Sequence, residues 1–496
     1  MVKKLSELAA LLEGATVRGN QDIEITDIVQ DSRQASPGAM FVALAGAHVD
    51  GHRFIPQVVE KGAVAVITER DIELPQGIEA VLIVKDIDAA LKKIVPFFYD
   101  YPGQTMRLIG ITGTNGKTTS SYLIRAMLRA AGHKVGVIGT IQIMIEEQIL
   151  PIHNTTPNVV DLQRTLHMMR EQGVTHVVME VSSHALDQNR VAGCEFDTAV
   201  FTNLTQDHLD YHKTMENYLA AKTRLFTLLD EAEKKPGKTA VVNIDDAAAE
   251  KLLSAVEKAA KVTCSTKGEA GLKAEQIHVH AGGASFVVKG AFGEMPLNLK
   301  ITGMFNVYNV LGAIGAGLAE GVAPETVQAA LNSFTGVPGR FELVDEGQDF
   351  AVIVDYAHTP DGLENILHTA REITEKRIIT VFGCGGDRDR TKRPIMGRLA
   401  AELSDVVIAT SDNPRTEDPA FILEEVEAGV LEKIGTKQHE KEIDRRKAIF
   451  RAIEIAEAGD IVVIAGKGHE DYQILKDKTI HFDDREVARE ALGGRR

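Results

Sequence analysis

Three linked α/β blocks, the second and third built on doubly wound parallel sheets, are predicted by three features of this chain. At 496 residues it is too long for one ordinary core. Its apolar runs are short, continuous and β-branched, and each is separated from the next by an amphipathic stretch, the pattern of strands covered by helices on both faces. Pro-Gly pairs punctuate it at Pro102-Gly103 and Pro338-Gly339, where turns or linkers are expected.

The first block, residues 1–104, is read as mixed α/β, with a short helix from Leu5 to Glu13 and strands at 40–44, 63–67 and 80–84. The second, 105–337, opens with a strand at 107–111 and continues with runs at 135–138, 176–179, 198–201 and 240–244. The third, 338–496, carries runs at 351–354, 378–382, 406–409 and 461–465. Binding loops are expected at the carboxyl ends of these strands.

Composition narrows the function. Hydrophobic residues are 44% and charged residues 25%, the balance of a folded soluble chain. The net charge of −16, with no tryptophan, speaks against nucleic-acid or anionic-membrane binding, which rests on phosphate neutralisation and base stacking. No apolar run is long enough to span a bilayer, and Met1-Val-Lys-Lys-Leu-Ser is followed by no apolar segment of a secretory signal. The three cysteines are widely spaced and suggest neither a disulfide framework nor a zinc site. A reducing cytoplasm and a monomer are expected.

The sharpest local signal is Thr112-Gly-Thr-Asn-Gly-Lys-Thr-Thr119, between an apolar strand and a helical stretch at 120–131. A strand, a Gly-rich turn and a helix N-terminus aim backbone N–H groups at a phosphate. Gly113, Thr114, Asn115, Gly116 and Thr119 would form the cradle. Lys117 would reach the β/γ-phosphates and the Thr118 hydroxyl would ligate Mg²⁺. The run departs from G-x-x-x-x-G-K-[ST], because residue 111 is isoleucine. The central block is therefore expected to be P-loop ATPase-like and the third Rossmann-like.

This loop resembles the signature of the Mur ligases and of their relatives, the folylpolyglutamate synthetases. The remaining motifs resemble the Mur side: Asp31-Ser-Arg33, Asn154-Thr-Thr-Pro157, Met179-Glu-Val-Ser-Ser-His184, Asn203-Leu-Thr-Gln-Asp-His-Leu-Asp210, Asn306-Val-Tyr-Asn309, Pro338-Gly-Arg340, Asp355-Tyr-Ala-His358, Asp412-Asn-Pro-Arg415 and Gly466-Lys-Gly-His-Glu470. The resemblance implies an ATP-dependent acid–amino-acid ligase of peptidoglycan precursor synthesis, hence of cell-wall biogenesis, cell shape and division. The γ-carboxylate of UDP-MurNAc-L-Ala-D-Glu would be phosphorylated by ATP, and the acyl phosphate then captured by meso-diaminopimelate.

It also implies site residues. Glu180 and His208 would hold Mg²⁺ beside the phosphate loop, with His184, Asp207 and His212 as lesser candidates. Lys222 matches the lysine that the family carbamylates; an ammonium cannot ligate Mg²⁺, whereas a carbamate offers anionic oxygens. Lys117, Glu180, His208 and Lys222 form the expected catalytic set. Asn306, Arg340 and Asp355 would serve ATP, and Asp355 also ends an apolar run, where an acid sits in nucleotide-binding α/β domains. Ser32, Ala47, His48, Val49, Asn154, Thr155, Thr156, Ser182, Gln188 and Arg190 match the UDP-muramyl-dipeptide region. Arg388, Asp412, Asn413, Pro414, Arg415, Gly466 and Glu470 match the diaminopimelate region. Arg415 can meet the second carboxylate of that amino acid bidentately. Asp418-Pro419 is expected to cap the helix that follows. A folylpolyglutamate synthetase, a sister Mur ligase and a non-catalytic ATP switch are the competing readings. The first domain and the 412–415 loop speak against the first two, and the joint presence of Glu180, Lys222 and His208 against the third.

Overall fold

The computed structural model describes residues 1–45, 49–152, 154–231 and 235–495. It divides into two compact units: residues 1–264 with 312–323, and residues 265–311 with 324–496.

In the first unit a five-stranded sheet comes first. Ala80–Ile83, Ala65–Thr68, Ala39–Val42 and Asp27–Val29 run parallel, and Thr16–Gly19 closes one edge antiparallel. The expected helix from Leu5 to Glu13 is shorter, Leu5–Ala9. Beyond it Leu11 and Leu12 donate to Leu8 and Ala9, three-residue bonds that tighten the end into turns. Arg164, on the helix Val159–Glu171, holds this sheet against the next. It reaches the Asp27 carboxylate at 3.1 Å, the Ile28 carbonyl at 2.6 Å and the Tyr99 hydroxyl at 3.2 Å.

The larger sheet of this unit runs in the spatial order Val135–Ile138, His176–Glu180, Arg107–Thr112, Thr198–Phe201, Thr239–Asn243, Ala260–Ser265, all parallel. Ile143–Ile145 and Gln148–Leu150 add an antiparallel hairpin at the edge. Every residue of the first five strands except Arg107 is buried, because helices cover both faces. The chain leaves Arg107–Thr112 in one direction and later returns to its other side, so the switch point lies at the carboxyl end of that strand, where ligands bind in such sheets.

In the second unit Ala351–Asp355, Ile461–Ala465, Ile378–Phe382, Val406–Thr410 and Gln438–Glu442 are parallel, with Glu342–Leu343 antiparallel at the edge. Leu272–His280, Gly283–Gly290 and Gly293–Leu299 form an antiparallel meander. Asp418 caps the helix Pro419–Lys433, as expected, by accepting from the Ala420 amide at 2.9 Å.

One ion pair of this unit is sealed from water. Arg445 and Asp484 have no exposed side-chain surface, and meet at 2.7 and 2.6 Å. Arg445 also donates to the Ala465 carbonyl at 3.0 Å, fixing the end of a strand that leads into Gly466. Arg445→Ala leaves Asp484 buried and alone, and should lower unfolding free energy by about 3–5 kcal/mol. Arg445→Met with Asp484→Leu removes both charges and should recover most of that loss in a urea titration. Equal losses in the single and double variants would refute this account.

Candidate functional site

The strand Arg107–Thr112 delivers the phosphate loop to the start of the helix Lys117–Ala130. Two glycines make the turn possible. Gly113 has φ +148°, and a Cβ there would collide with Thr202 Oγ1; Gly116, at φ +86°, is the residue before the helix. Asn203 braces the turn: its carbonyl accepts from the Thr114 amide at 2.9 Å, and its side-chain oxygen accepts from the Asn115 amide at 2.9 Å. Lys117 folds back, donating to the carbonyls of Gly113 at 2.9 Å and Thr114 at 2.8 Å. An anion in the loop would compete for that ammonium with two neutral carbonyls, and charge favours the anion.

Beside the loop, the strand His176–Glu180 ends on a buried carboxylate. Glu180 accepts from Thr118 Oγ1 at 3.0 Å and from the Thr140 amide at 3.0 Å, and Thr140 Oγ1 lies at 2.9 Å. A Cβ on Gly139 would collide with this carboxylate, so the glycine makes its room. Thr118 and Glu180 thus form an oxygen-only pair next to the loop, the donor chemistry that Mg²⁺ takes. His208 is placed differently. It is exposed, in a left-handed conformation at φ +53°, with its ring 4.9 Å from that of His184 and 5.9 Å from that of Tyr218. Among the described residues no cluster of three or more His, Cys, Asp or Glu side chains is grouped for a metal.

Lys222, on the helix Met215–Glu231, is 1% exposed. Its Nζ donates to the Gly113 carbonyl at 2.7 Å and lies 4.3 Å from the Tyr218 ring centroid. Burial, and secondarily the charge of Lys117, push its pKa well below the usual lysine range. A neutral amine is a nucleophile, whereas an ammonium is not.

Several residues assigned to the muramyl-peptide region lie together. The buried Thr156 donates to the Glu180 carbonyl at 2.9 Å and accepts from the Ser182 amide at 3.1 Å. Ser182 caps the short helix Ser183–Asp187. Arg190 reaches the Thr156 carbonyl at 3.1 Å and Gln188 at 2.9 Å. Thr155 Oγ1 lies 3.1 Å from Thr140 Oγ1, and Asn154 is exposed. His212 stands 3.0 Å from Ser183 Oγ, and burial lowers the pKa of both His212 and His184. Asp207 lies 3.5 Å from His208. In the turn Ser32–Gln34, after the strand Asp27–Val29, Ser32 is buried and donates to Gln57 at 3.0 Å, while Val49 is exposed. Ala47 and His48 lie outside the described residues.

In the second unit Asp355, the 412–415 loop and Gly466 lie at or just past the carboxyl ends of parallel strands. Asp355 accepts from the amides of Phe341 at 2.6 Å and Ala357 at 2.8 Å, although burial raises its pKa. Arg340 lies over the Tyr356 ring at 5.1 Å. Asn306 is inside the helix Met304–Ala319 and already engaged, donating to the Thr302 carbonyl at 2.7 Å and accepting from Asn309 at 3.1 Å.

The 412–415 loop follows the strand Val406–Thr410. Asn413 donates to Glu470 at 2.9 Å, and a Cβ on Gly466 would come within 2.7 Å of Asp412 Oδ2. Pro414 is buried, and Gly386 is packed so closely that a Cβ there would collide with the Pro414 carbonyl. Arg415 has φ +52°; its amide donates to the Ile474 carbonyl at 3.1 Å and its guanidinium to the Gly386 carbonyl at 2.9 Å. A non-glycine residue held in this region stores strain, which clusters at functional sites. Arg388 is exposed and bonds only weakly to its neighbour's carbonyl, at 3.3 Å.

Sequence reading gave no role to Thr140, Tyr218 or Lys467. Thr140 stands forty residues before Glu180 and belongs to no quoted motif. Tyr218 was visible only as the start of the stretch containing Lys222; its hydroxyl lies 3.2 Å from Thr114 Oγ1. Lys467, inside the 466–470 motif, has no exposed surface.

Comparison with known proteins identifies the family. Residues 111–317 match the Mur ligase middle domain, 339–468 the Mur ligase glutamate ligase domain, and 24–99 the Mur ligase family catalytic domain. The chain is 46% identical over 495 residues, 99% of each chain, to a UDP-N-acetylmuramoyl-L-alanyl-D-glutamate--2,6-diaminopimelate ligase of Syntrophomonas wolfei. It is 48% identical to a ligase of the same name from Geobacillus thermodenitrificans, over 99% of this chain and 100% of that one. A solved structure of a ligase so named aligns with a TM-score of 0.70 at 33% identity, covering 100% of this chain and 99% of that one. Three domain matches in order and near-half identity along the full length establish that the chain belongs to the Mur ligase family.

Proposed function

We propose that this protein is the ATP-dependent ligase that joins meso-diaminopimelate to the D-glutamyl γ-carboxylate of UDP-MurNAc-L-Ala-D-Glu. The observation that carries this reading is full-length identity of 46–48% to ligases named for that reaction. The arrangement of Asn413, Arg415 and Glu470 supports it.

The chemistry follows from the reactants. A carboxylate is a poor electrophile, so its oxygen first attacks the γ-phosphorus of ATP. The O–P bond forms, the bond to the β-phosphate oxygen breaks, and ADP leaves. The amine nitrogen then attacks the acyl carbon. The tetrahedral intermediate expels phosphate, the nitrogen gives up a proton, and an amide results. Little covalent chemistry is required of the protein, whose work is positioning and charge stabilisation. The 113–119 loop holds the phosphates through its amides, and Lys117 turns from its carbonyl partners toward them. Thr118 and Glu180, with His208 and a carbamylated Lys222, would hold Mg²⁺, which would neutralise charge developing on the transferred phosphoryl group. Thr156, Ser182, Gln188 and Arg190 belong to the muramyl-peptide region, with Ser32, Ala47, His48, Val49, Asn154 and Thr155. Asn306, Arg340 and Asp355 are assigned to the nucleotide.

The same reading divides the chain into functional blocks at 1–104, 105–337 and 338–496, and places a monomer in the cytoplasm. No described helix is long and apolar enough to cross a membrane.

Amine-dependent phosphate release with UDP-MurNAc-L-Ala-D-Glu, ATP and Mg²⁺ is the direct test. Turnover with meso-diaminopimelate should exceed that with L-lysine by a factor on the order of 10³ or more, because lysine leaves the Arg415 guanidinium without its carboxylate. Preference for lysine would overturn the amine assignment, and silence with both would overturn the reaction.

A further inference from the structure

Lys467 is a lysine with no solvent-exposed surface, and the mechanism above does not use it. Its Nζ lies 3.3 Å from Asn413 Oδ1 and 3.4 Å from Glu470 Oε2. That same Glu470 oxygen accepts from Asn413 Nδ2 at 2.9 Å, and Asn413 Oδ1 also accepts from the Ile474 amide at 2.9 Å. The amide of Asn413 is thereby fixed in one sense, its oxygen toward Lys467 and Ile474 and its nitrogen toward Glu470.

The local backbone is shaped to bring this about. Gly466 at φ +121° and Gly468 at φ +53° bracket the lysine. A Cβ on Gly466 would lie 2.7 Å from Asp412 Oδ2, and one on Gly468 would lie 2.7 Å from the Tyr356 amide nitrogen. Only glycines let the turn press this close, and the pressed turn folds Lys467 inward, toward the 412–415 loop. Burying an ammonium is unfavourable unless a carboxylate and hydrogen bonds offset it. Unlike a lysine that merely fills core space, this one meets two groups assigned to the amine substrate.

We propose that Lys467 is a positioning residue that sets specificity for diaminopimelate, orienting Asn413 and Glu470 to receive the end of the amino acid bearing both an ammonium and a carboxylate. The proposal rests on the ligase reading above. With the lysine in place, the Glu470 carboxylate presents a fixed face to the incoming ammonium, and Asn413 cannot flip to offer its oxygen there.

The test is steady-state kinetics of the full chain carrying Lys467→Met. KM for meso-diaminopimelate should rise roughly 10–100-fold, with KM for ATP and for UDP-MurNAc-L-Ala-D-Glu within about twofold of the parent. The double variant Lys467→Met/Glu470→Gln should bind diaminopimelate no more weakly than Glu470→Gln alone, since the lysine acts through that carboxylate. An unchanged diaminopimelate KM, an equal rise in all three KM values, or additive losses in the double variant would overturn the proposal. If the single variant fails to fold, the double variant, which leaves no buried charge unpaired, carries the comparison. Unfolding of both at the assay temperature would make Lys467 a residue of the fold alone and would equally sink the idea. Parent enzyme that uses no diaminopimelate would instead remove the reading beneath it.

Discussion

Lys222→Ala should lower kcat on the order of a thousandfold, and millimolar acetate or formate should restore part of the lost rate. The expectation comes from a lysine that is 1% exposed, with Lys117 nearby and the Gly113 carbonyl as its hydrogen-bond acceptor. Burial and like charge disfavour its protonated form. The neutral amine can add to CO₂: the N–C bond forms, a proton goes to water, and a carbamate remains. Its oxygens would join Thr118 and Glu180 as ligands for Mg²⁺, and a small carboxylate entering the space left by alanine would supply the same atoms. Failure of every short acid to restore activity, at concentrations that leave the parent enzyme unaffected, would dismiss the carbamate.

The unmodified lysine makes a second, independent prediction about stability. Its folded pKa lies below its unfolded value, so between the two the unfolded chain binds the extra proton and stability rises with pH. Lys222→Met should therefore exceed the parent in stability most at acid pH, and the gap should close as pH climbs toward the ordinary lysine value. Denaturant midpoints across this range under CO₂-free conditions would show the convergence. A gap independent of pH would mean that the lysine keeps its ordinary titration in the fold.

The sequence disclosed strands only where burial is two-sided. Runs such as Ile461–Ala465 and Ile378–Phe382 are buried at every residue, so they read as unbroken β-branched segments. The meander of Leu272–His280, Gly283–Gly290 and Gly293–Leu299 went unread. Along Leu272–His280 burial alternates from residue to residue, the mark of a sheet with one wetted face. Gln438–Glu442 is a parallel strand at the edge of its sheet, paired with Val406–Thr410; charged side chains suit such an edge and conceal it from a search for apolar runs. The site divides along similar lines. The 112–119 turn is contiguous and was legible as a strand, a glycine turn and a helix start, and Glu180 was legible as the polar end of a strand. Thr140 and Lys467 were not, because their significance lies in partners brought near by folding.

Arg415→Met should reduce kcat/KM for meso-diaminopimelate by about 10²–10³-fold while barely changing that for L-lysine. The arginine sits at φ +52°, with its guanidinium anchored by the Gly386 carbonyl at 2.9 Å. A left-handed conformation costs an ordinary residue roughly 1–2 kcal/mol, and the surrounding loop holds it there: the Arg415 amide is bound to Ile474, and Gly386 is pressed against the Pro414 carbonyl. Methionine keeps the strain and the side-chain bulk but removes the planar, bidentate cation that a second carboxylate requires. Arg415→Gly separates the two effects, because glycine relieves the strain and also lacks the cation. Its melting temperature should match or exceed the parent's while activity with diaminopimelate falls at least as far as in the methionine variant. That opposition, stability gained where selectivity is lost, is expected of a residue strained for recognition. Loss of stability in Arg415→Gly, or an equal fall in activity toward both amino acids in Arg415→Met, would instead make Arg415 a structural brace of the loop.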